Sequence, residues 1–267
     1  MKVEHHEETQ IVWEGDKPDL DSPVVVEGLT GIGHIGRTAV HYLVDHLDAD
    51  KVGEVISHHF PHWAIVNEDK ELDILKNELY VLERDGDADI VFLIGDAQSI
   101  DPMGHYEVVH DILDLLDDWS TEEIVTIGGY GTGEMVEDTP EVFGVVTDKD
   151  LKSDYEDYGV SFDHSVGQIV GATGLLLGIG KRYGMDGVAL LGETPGFLLS
   201  DPKATEEVLQ VLEEMLDIDL DYDNLEEKVE EVEEVMERIQ ELQQQAQQQQ
   251  QQAQGEGEGG DELGYIG

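Results

Sequence analysis

Short runs of apolar residues recur along this chain, separated by stretches whose apolar residues return once per helical turn. This alternation constrains the fold more than any other feature. Ile90-Val91-Phe92-Leu93-Ile94 and Gly187-Val188-Ala189-Leu190-Leu191 are too uniformly apolar for half-exposed strands and too short for independent helices. They read as strands buried on both faces. Val24-Val25-Val26-Glu27 reads as the first strand and Thr38 to Val44 as the helix that follows it. Val52 to Phe60 is extended, and Leu72 to Leu82 is strand-like with a break at Asn77. A helix runs from about Gly104 to Trp119, and Ile124-Val125-Thr126-Ile127 repeats the strand theme. Further on come a strand around Val142 to Val146, a helix near Lys149, an apolar helix or strand over Gly171 to Gly180, and an amphipathic helix over Thr205 to Leu216. Strands and helices that take turns in this way predict an α/β domain with a largely parallel or mixed central sheet.

The predicted organisation has four parts: a flexible N-terminal segment over 1–22, the α/β globular domain over 23–220, a C-terminal amphipathic helix over 221–245, and a flexible tail over 246–267. In the third part the apolar residues Leu225, Val229, Val232, Met236 and Ile239 are spaced by four, three, four and three, with glutamates between them. That is the seam of a coiled coil or of a helix packed on its own domain. Gln243 to Gln254 is a polar tract with no face to bury, and the glycines from Gly255 to Gly260 make the tail flexible, with a reach of about 20 Å for its last fifteen or so residues. Leu263, Tyr265 and Ile266 return to apolar character at its end.

Charge narrows the setting. Against 63 acidic residues stand 14 basic ones, a formal net charge of −49 spread along the whole chain. Such a chain repels nucleic acid. It would also repel itself at ordinary ionic strength, whereas at ~1 M salt the Debye length falls to ~3 Å and the repulsion is screened. A cytoplasm of very high salt is the expectation. Cysteine is absent, which excludes disulfides and thiolate chemistry. The acidic N-terminus lacks the pattern of a signal peptide, and no segment supplies the ~18 apolar residues of a membrane span, so a cytoplasmic protein without a membrane partner is predicted.

Three motifs invite a chemical reading. Gly31-Ile32-Gly33-His34-Ile35-Gly36 follows a strand and opens a helix, as a dinucleotide fingerprint does. The next strand, however, ends in Ser57-His58-His59-Phe60, and its one acid, Glu54, lies early rather than at the end where a ribose would need it; glycines at such a turn also serve close helix–sheet packing. Gly128-Gly129-Tyr130-Gly131-Thr132-Gly133-Glu134 likewise follows a strand but brings no cation for phosphate. His58, His59 and His62 cluster around Pro61, which prevents a helical HxxxH arrangement of metal ligands. No nucleophile elbow occurs. The expectation is therefore a non-enzyme with no cofactor and no metal. The alternative is a small-ligand protein, for a nucleotide or nucleoside, whose cleft is lined by Gly31, Gly33, Gly36, Gly131, Glu134 and Glu193.

Taken in order, Val26-Glu27-Gly28-Leu29-Thr30-Gly31-Ile32-Gly33-His34-Ile35-Gly36, the glycine loop from Gly128 to Glu134, Gly171-Ala172-Thr173-Gly174-Leu175-Leu176-Leu177-Gly178 and Leu191-Gly192-Glu193-Thr194-Pro195-Gly196 with Asp201-Pro202-Lys203-Ala204 resemble the archaeal branch of the proteasome assembly chaperone family. The resemblance spans roughly Pro23 to Leu242. It implies a three-layer α/β/α fold shaped like nucleoside phosphorylases, homo-oligomerisation, and, for some members of the family, ATP-independent binding to the proteasome core particle. Proteasome-binding members carry a C-terminal hydrophobic–tyrosine–any-residue tail that enters pockets between α-subunits. Here Tyr265 occupies the hydrophobic place and Ile266 stands where tyrosine is expected, ahead of Gly267. The implied partner-binding residues are Leu263, Tyr265, Ile266 and the carboxylate of Gly267, and the implied partners are the α-subunits of the proteasome core.

Overall fold

The computed structural model describes residues 8–67, 69–136 and 138–222. The seam from Leu225 to Ile239 and the tail residues Leu263, Tyr265, Ile266 and Gly267 lie outside them. In chain order the elements are β1 (Thr9–Trp13), β2 (Val24–Gly28), α1 (Ile35–His46), β3 (Asp50–Ser57), β4 (Ala64–Val66), β5 (Leu72–Ile74), β6 (Asn77–Leu82), β7 (Ile90–Gly95), α2 (Pro102–Asp118), β8 (Glu123–Gly131), β9 (Val142–Val146), α3 (Lys152–Glu156), α4 (Ala172–Tyr183), β10 (Asp186–Thr194) and α5 (Pro202–Leu216). Among the described residues, eight strands form one sheet in the order β1-β3-β6-β7-β2-β8-β10-β9, while β4 and β5 pair with each other in a separate two-stranded sheet.

The predicted α/β class is what forms, with a mixed sheet. Its centre, β7-β2-β8-β10, is parallel. The β6, β3 and β1 strands on one flank and β9 on the other are joined antiparallel. Both faces of the parallel centre are covered, which explains the unbroken apolar runs. Val25, Val91, Leu93, Ile124, Ala189 and Leu191 share a core with α2 and α4 residues such as Ile112 and Leu176. The alternate residues Val26, Phe92, Val125 and Leu190 are equally buried on the other face, where α1 and α5 pack. A period of two thus sorts each strand between two helical layers.

Two helices share one start signal. The Asp101 side chain accepts a hydrogen bond from Gly104 N–H (2.9 Å), and Asp201 accepts one from Ala204 N–H (3.1 Å); each is followed by proline at the first helical position. The aspartate satisfies an amide that the helix leaves unpaired, and proline has no amide to lose there.

Several local expectations change. Thr9–Trp13, expected in a flexible segment, is an edge strand along β3, and Ile11 and Trp13 pack against the core, with Trp13 edge-on to Trp119 at 6.0 Å. The stretch from Leu72 to Leu82 is two strands in different sheets, and Asn77 begins the second rather than interrupting one. The glycine loop is shorter than its glycines imply, because β8 runs on through Gly131 in register with Thr194. The helix near Lys149 is a single 3-10 turn leading into the short α3, and the apolar stretch from Gly171 is helical throughout α4. Among the described residues, no helix is long and apolar enough to cross a membrane.

Candidate functional site

In an open α/β sheet, ligands and partners meet the chain where neighbouring strands send their connections in opposite directions, at the carboxyl ends of the strands. Here that point lies between β2 and β8. Their pairing stops at Glu27 and Thr126, so the following residues diverge and open a cleft of about 460 Å³. One wall is Gly31 and Ile32 at the start of the turn into α1. The floor is the end of β8 from Ile127 to Gly131, and the far wall is the strap of Val166, Gln168, Ile169 and Val170 that leads into α4.

Backbone proximity shapes this cleft. A Cβ on Gly129 would stand 2.5 Å from the Ile32 carbonyl oxygen, so the turn lies directly on β8. Gly33 (φ 63) and His34 (φ 49) both adopt the left-handed backbone region there, which tightens the entry into α1. Gly31 is different: a side chain there would meet nothing within 4 Å, so its absence keeps the mouth wide. Gln98 ties the walls together. Its amide nitrogen donates to Thr30 C=O (2.7 Å) and its amide oxygen accepts from Ala172 N–H (2.9 Å), joining the turn after β2 to the start of α4.

Of the residues expected to line a ligand cleft, Gly31 and Gly131 do so. Gly33 and Gly36 are buried behind it. Glu134 is exposed on the turn after β8, where its carbonyl accepts from the Thr132 hydroxyl (2.8 Å). Glu193 lies at the β9 side of β10, its carboxylate accepting from Glu141 N–H (3.2 Å). The histidine cluster also separates. His58 and His62 are exposed, whereas the His59 ring lies between Glu107 (2.5 Å), Asp101 (3.3 Å) and Glu8 (3.3 Å). Burial pulls its pKa down, but the three carboxylates outweigh that and raise it.

Sequence reading passed over Gln98, Thr173, the strap and the role of Glu27. Glu27 is wholly buried at the end of β2; one carboxyl oxygen accepts from Leu29 N–H (3.2 Å) and, among the described residues, the other has no hydrogen-bond partner. Burial pushes its pKa up to about 8, against the opposing pull of Leu29 N–H, the Thr173 hydroxyl and the Ile127 backbone. Thr173 and Ile127 line the cleft, so this carboxyl sits just behind its floor. A signal was available: the run 164–185 contains no acid, although 63 of 267 residues are acidic. Among the described residues the lining offers no charged side chain; its polar groups are glutamine amides, the Thr173 hydroxyl and Tyr130, whose hydroxyl reaches Ser165 Oγ at 3.4 Å. Such walls receive an uncharged or apolar group and carry no charge to grip phosphate.

A model of the PAC2 family matches residues 25–240. An uncharacterized protein of Methanocaldococcus jannaschii is 31% identical over 205 residues, which is 77% of this chain and 78% of that protein. Among solved structures, Pyrococcus furiosus PbaB, an archaeal proteasome activator, is 36% identical with a TM-score of 0.83, over 88% of this chain and 100% of that one. Pyrococcus furiosus PbaA, an archaeal homolog of proteasome-assembly chaperone, is 27% identical with a TM-score of 0.73, over 92% and 98% of the two chains.

Proposed function

This chain belongs to the PAC2 family, and from that premise we propose that it is a non-catalytic proteasome assembly chaperone or activator that binds core-particle α-subunits through its C-terminal tail. The similarity to PbaB along that protein's whole length is the observation that carries this reading. In the proposal, Leu263, Tyr265 and Ile266 enter a pocket and the Gly267 carboxylate supplies the one charge. Recognition by a few apolar anchors and a terminal charge needs no nucleotide. Homo-oligomerisation makes weak single-tail contacts effective, because each bound tail raises the local concentration of the next. The uncharged cleft fits this reading better than one in which a nucleotide is gripped by its phosphates.

The test is a capture experiment in molar salt. Full-length protein should retain proteasome α-subunits, and protein lacking Leu263 to Gly267 should lose at least tenfold of that capture. Equal capture by both would reject the tail. No capture by either would reject the proteasome as partner.

A further inference from the structure

Spacing along the chain argues against a metal shared by His58, His59 and His62, but folding gathers a different set of groups around one of them. His59 Nε2 stands 2.5 Å from a carboxylate oxygen of Glu107 on α2 and 3.3 Å from one of Glu8, the residue before β1. These two acids lie 48 and 51 residues away along the chain. On the other side of the ring, Nδ1 faces a carboxylate oxygen of Asp101 at 3.3 Å. The ring nitrogen and the oxygens of Glu8 and Glu107 all lie within 4.8 Å of one another. Ligands bonded at about 2.0–2.1 Å to a tetrahedral zinc ion stand about 3.4 Å apart, so Glu8 is at that separation from the ring and Glu107 reaches it by a shift of about 1 Å.

The ring is held in place by the fold itself. A Cβ on Gly104 would stand 2.4 Å from His59 Cβ and Cγ, so the imidazole lies directly on the first turn of α2. Ile100 N–H donates to the His59 carbonyl (3.0 Å), His59 N–H donates to Ser57 Oγ (3.2 Å), and His58 N–H donates to the Glu8 carbonyl (2.9 Å). Asp101 is fixed in turn, because its other carboxylate oxygen caps α2 at Gly104 N–H. A carboxylate that orients the far nitrogen of a histidine is what aims such a ring at a metal.

Charge separates this cluster from a satisfied ion pair. Among the described residues, Glu8, Asp101 and Glu107 pair with His59 and with no lysine or arginine. Even a protonated ring leaves two of the three negative charges uncompensated, around a side chain that is only 16% exposed. A divalent cation on Nε2 balances them.

We propose that Glu8, His59 and Glu107 bind one zinc ion, with Asp101 as a positioning residue that accepts the Nδ1 proton, and that the ion fastens the edge strand β1 to α2. One imidazole nitrogen with two carboxylate oxygens suits zinc, whereas magnesium takes oxygen ligands in an octahedral shell. Zinc takes the lone pair of Nε2, and any proton on that nitrogen leaves to water.

Full-length protein, stripped with a chelator and titrated with zinc chloride in molar potassium chloride near neutral pH, tests this by calorimetry and melting temperature. Wild type should bind one zinc ion per chain at low micromolar concentration and melt several degrees higher with it, while millimolar magnesium leaves the melting temperature unchanged. His59→Gln and Glu107→Gln should each weaken zinc binding at least tenfold. Asp101→Asn, which still caps α2, should also weaken it about tenfold, an effect that capping alone would not produce. No saturable zinc binding by wild type, or an equal response to magnesium, overturns the site. Unchanged affinity in Glu107→Gln overturns it as well, leaving His5 and His6 as the source of any binding, and this variant decides the matter even where His59→Gln fails to fold. Unchanged affinity in Asp101→Asn overturns the positioning role. No readout involves a proteasome, so this proposal and the tail reading fail independently.

Discussion

A methyl group placed on Gly36 would stand 2.5 Å from the carbonyl oxygen of Ile127, so α1 sits on β8 with no room for a side chain between them. Gly28 makes the reciprocal approach, its Cα facing the Gly36 carbonyl and Val40. These glycines serve helix–sheet packing. Gly36→Ala should destabilise the fold by about 1–3 kcal/mol through overpacking. Gly31→Ala, in extended backbone (φ −155) with open space around it, should change stability by less than about 0.5 kcal/mol. Denaturant unfolding in molar salt compares the two, and equal losses would refute the packing account.

Glu27 should make stability depend on pH. Its folded pKa of about 8 lies above the ordinary carboxyl value, so between roughly pH 4.5 and 8 the unfolded chain releases this proton while the folded chain keeps it. Stability therefore falls as pH rises through that window and levels off above it. Glu27→Gln should remove this part of the slope and be more stable than wild type at pH 8, on the order of 1–3 kcal/mol. Melting temperatures of both proteins from pH 5 to 9 measure it.

His59 titrates in the opposite sense of charge. Its folded pKa is raised by Glu107, Asp101 and Glu8, so its contribution is complete below the ordinary imidazole pKa and is lost as pH rises through the raised folded value. Glu107→Gln should lower the melting temperature by about 2–4 °C at pH 6, as expected for ~1 kcal/mol in a chain of this size. At pH 9 the variant and wild type should melt together. A loss of the same size at both pH values would mean that Glu107 acts through packing alone.

Salt is the fourth variable. With a net charge of −49, self-repulsion should unfold the domain below a few tenths molar salt, and added potassium chloride should restore it. Circular dichroism during dialysis follows this directly; an unchanged spectrum in millimolar salt would reject it.

The strands of the parallel centre were legible because burial on both faces demands uninterrupted apolar runs, as in Ile90-Val91-Phe92-Leu93-Ile94. The starts of α2 and α5 are equally local, each written as Asp-Pro. Thr9–Trp13 was not legible, because a five-residue edge strand is held by its pairing with β3, forty or more residues away along the chain. Which histidine of the cluster turns inward was not legible for a related reason: adjacency along the chain says nothing about ring direction, and of His58, His59 and His62 it is His59 that meets the carboxylates.

The chain by itself determined the fold class, the helix starts, the family motifs and the excess of negative charge, since these rest on composition and on interactions within a few residues. Tertiary structure decided which glycines pack and which leave space, that Glu27 is buried behind the cleft, and that exposed apolar residues of six separate connections gather on one edge. Those outcomes depend on strand order, and strand order is set by contacts between segments far apart in sequence, which no local pattern records.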